Sequence, residues 1–149
     1  MIQLKDITNI VCLNIKFIDY FYEKKISENL IQIDFELITP NRIFKYSANE
    51  VLTLWPIVII TFIQNLKLLI DGTVKEVNFY HHDMFMLFDI KRFDEPDEDG
   101  IEFMIKFPSG VYYGAESAGY IEAIIFTVNN KILVEFLIAL EAELTQLLN

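Results

Sequence analysis

Hydrophobic positions recur along this chain with two different periods. Over residues 10–22, Val11, Leu13, Ile15 and Phe17 alternate with Cys12, Asn14, Lys16 and Ile18. A period of two marks a strand with one buried face. Residues 30–38 repeat the pattern, with Ile31, Ile33, Phe35 and Leu37 on one face and Gln32, Asp34 and Glu36 on the other. Residues 42–46 read as a short third strand. Polar residues 23–29 and the pair Pro40-Asn41 supply the turns. Such short connections predict an antiparallel meander.

The period then changes. Trp55, Ile59, Phe62, Ile63, Leu66, Leu69 and Ile70 recur at steps of three and four, the stripe of an amphipathic helix. Pro56 fits a first helical turn, so the helix is expected over 54–70 with Thr53 as its N-cap. Ser47 and Glu50 have capping-box spacing, which would start it earlier and kink it at Pro56. Asp71-Gly72 stops it. Ile57, Val58 and Ile60 make its first half apolar nearly all round, as in a helix covered on a second side or one with a flank that docks a partner. Trp55 is expected to be substantially buried against the sheet, so that alanine there would cost roughly 3–5 kcal/mol.

Strand patterns resume at 73–80 and 84–93, the latter apolar on both faces and so expected in the middle of the sheet. Residues 94–100, DEPDEDG, form a hairpin loop; strands follow at 101–107, 111–113 and 120–128. A second helix is expected over 130–148, capped by Asn129 or Asn130, with Leu133, Phe136, Leu137, Leu140, Leu144 and Leu147 as its stripe. The predicted fold is α+β: one antiparallel sheet of six to eight strands with two main helices packed on it.

Composition narrows the class. A chain of 149 residues that is 53% hydrophobic suits a single domain, 1–149, with a real core. Cys12 is the one cysteine, so no internal disulfide is possible; it is expected to be a small buried hydrophobe. With no signal-peptide pattern at the start, the expected location is the cytoplasm. The net charge of −10 resides wholly in residues 76–149; residues 1–75 balance to zero. An acidic field repels nucleic acid and anionic membrane, so neither is expected as a partner, whereas a basic protein is attracted. Ordinary solubility is the plain alternative.

Candidate chemistry is sparse. His81-His82-Asp83 lacks the second ligand pair of a zinc site. Aligned as a calcium loop, DEPDEDG puts Lys106 where a bidentate glutamate is needed. Ser109 and Ser117 lack the nucleophile-elbow context, and the glycines make no phosphate loop. The chain is therefore read as non-enzymatic, with no metal and no cofactor. Five carboxylates in six residues at the hairpin tip, with Tyr112 and Tyr113 on the return strand, form the candidate partner-binding surface: Asp94, Glu95, Asp97, Glu98, Asp99, Tyr112 and Tyr113. The apolar flank at Ile57, Val58 and Ile60 is the competing surface.

Thr53-Leu54-Trp55 at the helix entry, Val77-Asn78-Phe79-Tyr80 after it and the closing leucine-rich helix resemble the WapI-like immunity proteins of Gram-positive bacteria and related small domains of unknown function. The resemblance implies a cytoplasmic antidote that binds and blocks a cognate toxin, often a nuclease. A basic toxin domain would match the acidic half of this chain. A small-molecule carrier, with an apolar pocket between sheet and helices, is the alternative expectation.

Overall fold

The structure, a computed structural model, describes residues 1–21, 29–46, 52–81, 86–95, 99–108 and 121–149, without the side chains of Tyr46, Pro108 and Ile121. Nine strands and two helices are assigned among them: β1 (Ile2–Lys5), β2 (Cys12–Phe21), β3 (Leu30–Ile38), β4 (Ile43–Tyr46), β5 (Thr53–Leu54), α1 (Pro56–Ile70), β6 (Glu76–Tyr80), β7 (Leu87–Arg92), β8 (Ile101–Pro108), β9 (Ile121–Val128) and α2 (Asn130–Leu148). The α+β class and the two helices are as the periodicity predicts.

The single sheet is not. The strands form two antiparallel sheets, β1-β2-β3-β4 with β5 also on β3, and β6-β7-β8-β9. Within the first, β4 pairs with Phe35 to Ile38 and β5 with Ile31 and Gln32, so the two lie in line along one edge of β3. Alternation tells which face of a strand is buried but not what covers it. Here the two inner faces cover each other: Phe35 lies 6.3 Å from Phe88 and 5.9 Å from Phe107, and Phe44 stacks on Phe107 at 4.5 Å. A single wide sheet would have left two helices to shield every one of these side chains. The sheets are also tied at their margins, where Arg42, just before β4, pairs with Glu122 of β9 and the Ile7 amide donates to the Thr127 carbonyl at 3.0 Å.

The helices seal the core. Ile59, Phe62, Ile63, Leu66 and Leu69 are the buried stripe of α1; Leu133, Phe136, Leu137, Leu140 and Leu144 are that of α2. Phe62 meets Phe79 at 4.9 Å and Phe88 at 5.9 Å, while Phe136 meets Phe103 edge-on at 6.4 Å. α1 packs on β6 and on α2, and α2 packs on β1 and β2. Lys67 and Glu141 pair across the two helices.

The entry to α1 differs from the expectation. Thr53 pairs with Gln32 in β5 and does not cap; Trp55 takes the N-cap position in extended conformation, its side chain making no capping hydrogen bond, and Pro56 begins the helix. Strand alternation sends Leu54 inward at 1% exposure, so its neighbour Trp55 turns outward and remains 43% exposed. The expected deep burial of Trp55 is thereby corrected. Gly72 ends α1 as expected, at φ 85°. Asn129 caps α2, its side chain accepting from the Ile132 amide at 2.9 Å. Residues 111–113 and the capping-box pair Ser47 and Glu50 lie outside the described residues.

Candidate interaction surface

The acidic hairpin has two parts. Asp94 and Glu95 are exposed, and Asp94 makes a solvent-facing pair with Lys75 at 3.8 Å. Asp99 turns back onto the fold: its carboxylate accepts from the Asn130 amide at 3.2 Å, at the start of α2, where a negative charge is favoured. The Phe93 amide closes the loop on the Gly100 carbonyl at 3.0 Å. Asp97, Glu98, Tyr112 and Tyr113 lie outside the described residues.

Below this loop Arg92 joins three elements. Its Nη2 donates to the Leu69 carbonyl at the end of α1 and to Asn130 Oδ1 at the start of α2, both at 2.8 Å. The base of the hairpin is thus architectural.

His81 is fully buried, with Nε2 2.6 Å from the Thr53 carbonyl, so it joins β5 to the end of β6; His82 and Asp83 lie outside the described residues. Among the described residues no group of three or more His, Cys, Asp and Glu is placed to hold a metal, and no helix is long and apolar enough to cross a membrane. Cys12 is half-buried; burial, the largest influence, pushes its thiol above the usual range, which makes it a poor nucleophile.

Where the sheets and helices meet, among Ile15, Phe35, Leu54, Phe62, Phe88 and Leu140, the free volume is about 10 Å³. That is room for about one water at most. Among the described residues, this junction leaves no room for a carrier's apolar pocket.

A larger concavity among the described residues lies outside, between α1 and β6. Ile57, Val58, Thr61, Phe62 and Asn65 form one wall and Asn78, Phe79 and Tyr80 the other, around about 230 Å³. None of the eight is charged. Ile57 is 63% and Tyr80 54% exposed, so the rim is apolar and open to solvent. The competing flank named from the sequence is thus resolved residue by residue: Ile57 projects outward, while Val58 and Ile60 are half-buried against the core.

One side of this groove is a strand edge. Among the described residues β6 is terminal in its sheet and pairs only with β7. The Arg92 amide donates to the Lys75 carbonyl and the His81 amide to the Met86 carbonyl. In an antiparallel ladder alternate residues face the partner strand. Lys75, Val77, Phe79 and His81 therefore face β7, and the main-chain groups of Glu76, Asn78 and Tyr80 face the open edge beside α1. The sequence could not show this, because edge status follows from which strand lies next to which.

No family model and no curated protein matches the chain. Among solved structures, it is similar to the plant transcriptional regulator PBF-2, at 12% identity and a TM-score of 0.49, covering 93% of this chain and 76% of that one. It is also similar to WHY3 from Arabidopsis thaliana, at 14% identity and a TM-score of 0.45, covering 93% and 82%. The first is described as a transcriptional regulator and neither as an immunity protein or toxin inhibitor, which runs against the expectation of a toxin-neutralising protein and against the exclusion of nucleic acid as a partner. None of these findings bears on the resemblance to the WapI-like family.

Proposed function

We propose that this chain is a binding module rather than an enzyme, and that its contact surface is the groove between α1 and β6. One observation carries the reading: an uncharged concavity, rimmed by the exposed Ile57 and Tyr80, sits against a strand edge that has no partner strand among the described residues. Exposed apolar side chains are ordinary when scattered; gathered around a concave surface they mark a contact site. Interface energy concentrates in such aromatic and aliphatic anchors. The volume is below the roughly 300–1,000 Å³ of small-molecule sites, which favours a macromolecular contact over an enclosed ligand.

The test is affinity capture from the source cell with the wild-type chain and with Ile57→Glu. Ile57 is exposed, so the variant should fold with an unchanged melting temperature. A partner held by the wild type should be lost from the variant, because a carboxylate would be buried unpaired in an apolar contact. Equal capture of every partner by both chains would show that binding, if any, lies elsewhere.

A further inference from the structure

Resting on that reading, we infer that the groove takes an extended segment of a partner protein, which adds to the second sheet as a new strand at β6. The main-chain groups of Glu76, Asn78 and Tyr80 define the occupant. They recur every second residue, about 7 Å apart, each offering one N–H and one C=O along the same edge. An extended polypeptide matches that spacing through its own backbone. A helix satisfies its peptide groups internally and would leave the row unmet.

Side chains make the same choice. On the inner face of an added strand, every second residue would point toward α1, where Ile57, Val58 and Phe62 wall the groove. On the outer face, its residues would stand beside Glu76, Asn78 and Tyr80, all exposed. The neighbour of Glu76 is best a lysine or arginine, by the cross-strand preference for opposite charges. The net charge of −10 favours a basic segment in the same sense. The chemistry specified is an extended segment with apolar residues at alternate positions and basic or hydroxyl residues between them.

A second copy of this chain fits less well. Its own β6 would bring Val77 and Phe79 to the inner face, but these are 3% and 4% exposed, already spent on its own core. It would pair backbone to backbone and leave the groove unfilled. A linear segment fills both.

The probe is a set of fluorescein-labelled short peptides with valine, isoleucine or phenylalanine at alternate positions and lysine or threonine between, compared with the same set carrying a central proline. Anisotropy should show saturable binding of the first set and at least about a tenfold loss with proline, which removes a donor and breaks the ladder. Amide exchange at Asn78 and Tyr80 should slow in the complex, and Ile57→Glu should weaken binding by about tenfold or more. If the proline peptides bind equally well, or a helical apolar peptide binds and the extended ones do not, strand addition is wrong while the groove remains the contact surface. If no probe binds, or the two amides stay unprotected in the complex, the inference fails. If the peptides bind with full affinity to Ile57→Glu, the groove itself is wrong. Protection of the same amides by self-association, or by a single-stranded oligonucleotide in place of peptide, would likewise overturn it.

Discussion

At the scale of single residues, polar groups at the joints between elements matter more than those at the surface. Asp6, in the turn between β1 and β2, is 7% exposed. Its carboxylate accepts from the Ile10 and Val11 amides at 2.8 and 3.0 Å and from the Thr8 hydroxyl. Burial alone would raise its pKa and is the largest single influence; the hydrogen bonds from Thr8, Val11 and Ile10 together outweigh it and hold the group below its usual value. A depressed folded-state pKa contributes stability that is present above the unfolded value of about 3.9 and lost as pH falls through the folded one. Urea unfolding across this range should therefore show a wild-type acid limb that flattens in Asp6→Asn, with the variant also less stable at neutral pH. An unchanged limb would mean that Asp6 is not the group that titrates. Arg92→Leu tests a second joint. It strips donors from the Leu69 carbonyl and from Asn130, and removes a cation from the carbonyl end of α1. Hydrogen bonds from charged groups contribute about 1.5–3 kcal/mol each when fully formed; these two share one nitrogen and are only partly buried, so a loss of about 2–4 kcal/mol is expected, read from the denaturant midpoint. A loss within about 0.5 kcal/mol, as for an ordinary surface change, would contradict this placement.

At the scale of elements, what could be read from the chain was set by the range of the interactions involved. Both helices appear because a stripe such as Ile59, Phe62, Ile63, Leu66 and Leu69 is local information. The strand faces appear for the same reason. β1 is foreshadowed only by Ile2 and Leu4 alternating with Gln3 and Lys5, too few residues to stand out from a chain end. The division into two sheets was not legible, since the meeting of Phe35 with Phe88 and Phe107 joins residues far apart in sequence. Nor was the groove, because Ile57 and Tyr80 come together only once α1 lies beside an edge strand. Trp55 illustrates the general point. Its place on the apolar stripe suggested burial, but a two-residue strand just before it, set by pairing with β3, reversed its direction. Phe62→Ala should therefore cost about 3–5 kcal/mol, as for a buried aromatic, while Trp55→Ala should cost less than half as much. Equal losses in the two variants would place Trp55 in the core after all.

For the molecule as a whole, the charge boundary in the sequence coincides with an architectural one. β1 to β5 lie within residues 1–75, which balance to zero, whereas β6 to β9 and α2 lie within 76–149, which carry the entire −10. The proposed strand edge belongs to the acidic sheet, but the groove beside it is lined by uncharged residues. Attraction at a distance and retention on contact are therefore assigned to different residues. Long-range charge chiefly sets association rate and is screened beyond about 8 Å at physiological salt, whereas buried apolar anchors chiefly set dissociation. Stopped-flow binding of the basic extended peptides should resolve the two. Asp94→Asn with Glu95→Gln removes two exposed charges and leaves the Asp99 contact with α2 intact. It should slow association modestly and reduce its salt dependence, with no change in dissociation or in melting temperature, since the Asp94 pair with Lys75 is solvent-exposed. Ile57→Glu should do the reverse in kind: association within a few fold of wild type and dissociation faster by about tenfold or more. If the doubly neutralised chain instead releases the peptide faster at unchanged association rate, the acidic loop is part of the contact itself, and the groove does not hold the segment alone.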